Sequence, residues 1–160
     1  MRLRNLRHFV RSAQETFATQ LRTPVIRSRA RRRQGPLPAA DFTALVELQG
    51  AGTAFLALSF TSAQAGALAS RLLQGAAPEL TTSLLSDCVC EIANMVAGLA
   101  VAHINRADPA VVFRFPRILA GAGLRVVAPG NRVQFEQPFE GELGPFSLFL
   151  SLGAEVPAHV

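Results

Sequence analysis

The chain has 160 residues, 16 arginines, no lysine and 11 acids, for a formal net charge of +5 at pH 7. Hydrophobic residues make up 49% of it and charged residues 17%, which excludes a disordered polyelectrolyte and supplies enough apolar material for one packed core. The basic excess is lopsided, because residues 1–33 hold ten arginines against Glu15 alone, while the rest of the chain holds six arginines against ten acids. The high pI therefore describes an N-terminal segment and argues against a general nucleic-acid-binding surface.

Two cysteines, Cys88 and Cys90, sit two positions apart, which a helix points in different directions. They read as small buried thiols, without the third and fourth partners that a metal framework needs, so no metal site is expected. Free thiols fit a cytoplasmic setting. No apolar segment follows the N-terminal arginines as a secretion signal would require. The charge-free run from Leu48 to Ser70 is broken by Gly, Ser, Thr and Gln and changes period midway, so no membrane span is expected.

Leu3, Leu6, Val10, Ala13, Phe17 and Leu21 recur every three or four residues, the stripe of an amphipathic helix that Pro24 ends. In Val25–Arg33, Arg27, Arg29, Arg31 and Arg33 alternate as on one face of an exposed edge strand, where like charges discourage unwanted pairing. A patch for an acidic partner is the alternative there. Gly35-Pro36-Leu37-Pro38 is a turn. Ala44, Val46 and Leu48 mark one strand face, Gly50-Ala51-Gly52 a hairpin connection, and Ala54, Leu56, Leu58 and Phe60 the returning strand.

Thr61 and Gln64 have the spacing of a capping box, which starts a helix closed by Gly75. A longer helix follows from about Thr81 to His103, with a buried stripe through Leu85, Cys88 or Val89, Ile92, Met95 or Val96, and Leu99. Beyond Asp108-Pro109 the chain returns to strands. Pro116 demotes Phe113-Arg114-Phe115 to an edge or a strand start, Gly121-Ala122-Gly123 is a turn, and alternation marks strands at Val133–Glu136 and Phe146–Leu152. The expectation is one α+β domain over residues 1–160, with a core at about 5–153 and a frayed tail at 154–160. Its sheet is largely antiparallel, with the N-terminal helix and two consecutive central helices packed on one face.

Chemistry-bearing residues are few. His8, His103 and His159 follow no metal-ligand spacing, and His103 near a helix end reads as a partner of the helix dipole. Asp87, Glu91, Asn94 and Gly98 stand apart, because spacings of four, three and four place them on one helix face, opposite Leu85, Ile92 and Leu99. The segment DCVCEIANMVAG, residues 87–98, resembles the signature of CheX-type phosphatases in the CheC/CheX/FliY group. The opening helix, the QGAGTAFLALSFT hairpin, the capped helix to Gly75 and the late strands arrive in that family's order over roughly residues 5–153.

The resemblance implies hydrolysis of an aspartyl phosphate on a CheY-like response-regulator receiver domain. It makes Glu91 and Asn94 the catalytic pair. The acid docks onto a receiver lysine, and the amide orients the attacking water. Asp87 and Gly98 become accessory partner contacts. Mg²⁺ comes with the receiver rather than with this chain, and the family pairs through strands into homodimers. The residue types suit the task, since phosphoryl transfer depends on positioning and charge stabilisation. An uncharged amide can hold a water beside an anionic phosphoryl group, where a second carboxylate would repel it. Cys90 before the acid and Leu99 after Gly98 depart from the family's usual glycine and polar residue. They favour a second reading, a non-catalytic CheX-like dimerisation or receiver-binding module. A third reading, a nucleic-acid binder built on residues 22–33, has no recognised motif behind it.

Overall fold

The structure is a computed structural model that describes residues 5–50, 52–75, 79–106, 111–127 and 132–153. In chain order its elements are α1 (Leu6–Thr19), β1 (Val25–Arg27), β2 (Arg31–Arg33), β3 (Leu37–Pro38), β4 (Phe42–Gln49), β5 (Thr53–Phe60), α2 (Ser62–Leu72), α3 (Thr82–Asn105), β6 (Val112–Phe113), β7 (Arg117–Ala120), β8 (Arg125–Val126), β9 (Val133–Gly141) and β10 (Phe146–Leu152). Leu3, Ala51, Asp108-Pro109 and the tail at 154–160 lie outside the described residues.

Every strand pair is antiparallel. The main sheet runs β1-β9-β10-β5-β4-β6, with β2 also on β9 and β7 also on β4. Alternation sorts its two faces. Ala44, Val46, Leu48, Leu56, Leu58, Phe60, Leu148 and Leu150 point to the side carrying the three helices and form the core with Phe9, Phe17, Leu68, Val89 and Ile92. Leu45, Ala57 and Phe149 point the other way, where β3 and β8 lie across them through Leu37 and Val126. The expected antiparallel α+β fold with helices on one face is thus the fold observed. The small β3–β8 ribbon was not foreseen, because two-residue strands leave no periodic signal.

Local chemistry explains the helix boundaries. Thr61 Oγ1 accepts from the Gln64 amide at 3.3 Å and Gln64 Oε1 accepts from the Thr61 amide at 3.0 Å, which is the expected capping box. The other end of α2 corrects the expectation for Gly75. Gln74 donates to Arg71 O and Gly75 donates to Ser70 O, so Gln74, at φ 51°, takes the first left-handed position and Gly75 the next.

The arginine-rich segment also departs from the expected continuous strand. Arg27 pairs with Phe139, whereas Arg31 pairs with Glu136, so this strand advances four residues while β9 advances three. The extra residue is a bulge between β1 and β2, and it turns Arg27 and Arg31 to opposite faces. The segment does lie at the sheet edge, but two of its four alternating arginines are not simply solvated. Arg31 Nε and Nη2 donate to the two Glu136 carboxylate oxygens, both at 2.9 Å. Arg33 Nη1 adds a bond of 2.7 Å and Ser147 Oγ one of 2.9 Å.

These donors, Arg31 first, hold the Glu136 carboxyl at about 2, down from an ordinary 4.5 and against the opposing effect of its burial. The folded value lies below the unfolded one, so the stabilisation is complete above about pH 4.5 and is lost as pH falls from there towards 2. A shift of that size corresponds to about 3 kcal/mol at most. Because the Arg31 side chain is 63% exposed, solvent screening reduces this to about 1–2 kcal/mol. Urea titrations at pH 6 and pH 3 should therefore show a larger loss of stability for the wild type than for Glu136→Gln. Equal losses would remove the clamp from the account.

Candidate functional site on the central helix

The α3 helix begins at Thr81, whose Oγ1 accepts from the Leu84 amide at 3.2 Å. It packs on α1, α2, β4, β5, β6 and β7, so contact comes from several sides. The buried arc is correspondingly broad: Leu85, Cys88, Val89, Ile92, Ala93, Val96, Ala97, Ala100, Val101 and Ile104. This corrects the single expected stripe, because Met95 and Leu99 are only half-buried and small alanines hold the close-contact positions. By length and mean hydropathy (1.6) α3 could cross a membrane, but half of that window is buried within this fold.

The face left over carries Asp87, Glu91, Asn94 and Gly98. Asp87 and Glu91 are exposed, while Asn94 and Gly98 are half-buried. All four expected site residues therefore fall on one accessible row. No side-chain hydrogen bond or ion pair joins Asp87, Glu91 or Asn94 to another described residue. A carboxylate and an amide one turn apart, with their polar groups unspent, can grip a cation and hold a water on an incoming surface.

Gly98 lies one turn beyond Asn94, facing Phe113 of β6. A Cβ at Gly98 would meet the Phe113 ring at 3.6 Å, an ordinary contact, so space alone does not demand glycine there. Phe113 was not among the expected site residues, and nothing in the sequence signals its approach to α3.

Nearby groups offer no competing chemistry. Burial, and secondarily Asp87, pushes the Cys88 and Cys90 thiols above their ordinary range, which disfavours the nucleophilic thiolate. His103 lies in the last turn of α3, as expected, and packs edge-on against His8 of α1 with ring centroids 6.2 Å apart. Burial, then Arg7, His103 and Arg11, lowers the His8 pKa. Among the described residues no group of three or more His, Cys, Asp or Glu side chains is placed to hold a metal ion.

A family model described as "Chemotaxis phosphatase CheX" matches residues 42–140, a span that contains all of α3. The chain belongs to the CheX family. No curated protein matches it. Among solved structures, the chemotaxis protein CheX of Desulfovibrio desulfuricans superposes with a TM-score of 0.86 at 19% identity, covering 94% of this chain and 100% of its own. CheX of Vibrio vulnificus gives 0.82 at 18% identity over 94% and 99% of the two chains. CheX in a complex with CheY, BeF3 and Mg²⁺ from Borrelia burgdorferi gives 0.70 at 13% identity, over 96% of this chain and 100% of that one. At such identities the likeness is one of fold.

Proposed function

We propose that this chain is a phosphatase for the aspartyl phosphate of a CheY-like receiver domain, with Glu91 and Asn94 as its working pair. The observation that carries the reading is the placement of both side chains on one accessible edge of a firmly held helix. Family membership supports it, as does the Borrelia structure, in which a CheX is bound to CheY with BeF3 and Mg²⁺.

On this reading α3 lies across the receiver's active site. Glu91 pairs with a receiver lysine and fixes the register of the two proteins. Asn94, one turn on, enters the site, accepts a hydrogen bond from a water and donates towards the phosphoryl oxygens. That holds the water in line with the phosphorus. Asp87 extends the docking row, and Gly98 leaves clearance for the receiver surface. The receiver brings the phosphoaspartate and its Mg²⁺, which offsets the charge developing on the transferred group. A homodimer paired through strands and a cytoplasmic setting belong to the same reading.

Loss of ³²P from a phosphorylated receiver, followed with increasing receiver, tests the proposal. Glu91→Ala should raise the apparent KM about tenfold or more and change kcat less, because it removes docking rather than chemistry. A non-catalytic receiver-binding module would leave the receiver's own rate of phosphate loss unchanged even with wild-type protein.

A further inference from the structure

The sheet face opposite the helices is not uniformly covered. The β3–β8 ribbon lies over its middle and leaves a cleft along one side, floored by Leu45 and Phe55. One hollow of the cleft, about 100 Å³, lies beneath the ribbon between Leu37, Val126 and Val127. Next to it a hollow of about 120 Å³ is bounded by Glu47, Arg114, Phe115 and Arg117. Phe115 is 86% exposed and Val127 71%, a large cost for apolar side chains that cover nothing.

Two further features indicate that the cleft receives something. Ser151, 1% exposed, lines the inner hollow, and its Oγ has no hydrogen-bond partner among the described residues. Beside it in the β9–β10 register, Gln134 Oε1 is buried and also lacks a partner there. Buried polar atoms are ordinarily paired, so an unpaired hydroxyl at the end of an apolar hollow suits a ligand with a polar group next to an apolar one. The rim is basic. Arg117 lines the outer hollow beside Arg114, whose Nε lies 3.9 Å from Glu47, and Arg125 is exposed on the ribbon.

We propose that this cleft docks an acidic peptide segment of another protein, with two neighbouring apolar side chains filling the two hollows and flanking carboxylates meeting the arginines. An apolar cavity of about 150 Å³ takes a benzene ring, so these smaller hollows suit single aliphatic side chains. Single-stranded nucleic acid, the other polyanion, fits less well. The inner hollow presents one hydroxyl and otherwise apolar atoms, with nothing to read a base edge and no room for a stacked base. The cleft lies on the sheet face away from the helices and uses none of the α3 row, so this docking does not rest on the phosphatase reading.

The full chain is to be panned against a random linear dodecapeptide phage library. Enriched peptides are then made with a fluorescein label and titrated by anisotropy. The expected peptides carry a pair of Leu, Ile or Val flanked by Asp or Glu. Their Kd should rise at least tenfold with Phe115→Ala and with Arg117→Glu, two exposed positions whose variants keep the wild-type circular dichroism spectrum. Enrichment of peptides without acids, or Kd values indifferent to both substitutions, would overturn the proposal. So would a fluorescein-labelled dodecathymidylate that binds more tightly than the peptides and is displaced by the same substitutions.

Discussion

Asn94→Ala should reduce dephosphorylation of a saturating phospho-receiver by about 100-fold or more, the scale lost when one positioned polar group is removed from a transition state. The apparent KM should hold, because Glu91 still docks. Asn94 is half-buried and bonds to no other described side chain, so its removal should leave the thermal melt close to wild type. Asn94→Asp is the sharper probe. It is nearly isosteric, yet it exchanges a donor for a negative charge facing an anionic phosphoryl group, and it should be as impaired as the alanine variant. A wild-type rate in either variant, measured by ³²P release, would take Asn94 out of the mechanism and leave Glu91 as a docking residue alone.

The largest loss of stability is expected from Phe146→Ala. Phe146 lies at the start of β10, where its ring meets Phe17 of α1 at 4.7 Å, Phe60 of β5 at 5.2 Å and Phe139 of β9 at 5.2 Å between centroids. Three elements converge on that one ring, and two of them, α1 and β5, are distant in sequence. Truncating such a residue costs about 3–5 kcal/mol, because the rings around the void cannot all collapse into it. For a chain of this size that lowers Tm by about 10 °C or more. Scanning calorimetry would show it, and a drop of only one or two degrees would mean that the cluster repacks.

Legibility in the sequence followed the range of the interaction. Thr61 and Gln64 lie three residues apart and act on each other's backbone, so their capping box could be read directly. The strand faces of β4, β5 and β10 were equally plain, because their larger apolar residues recur at every second position towards the helices. The site row was legible for a related reason, since Asp87, Glu91, Asn94 and Gly98 are neighbours on one helix whatever surrounds it. The Glu136 clamp was not. Its partners Arg31 and Arg33 lie more than a hundred residues away, and the bulge that aims them at Glu136 leaves no mark in an even alternation of arginines. Leu99 was misplaced for another reason. A stripe rule assumes one buried side, whereas α3 is covered from several, and there Ala93, Ala97 and Ala100, outside the expected stripe, join the buried arc.

Because α1, α2 and the sheet together clasp α3, the helix has little freedom to roll about its axis. Whatever meets its open edge finds the two positions already set one turn apart. The entropy of arranging them is lost once, when the chain folds, and not again at each encounter. On the proposed phosphatase reading, a looser helix of identical sequence would present the same two groups and turn over more slowly.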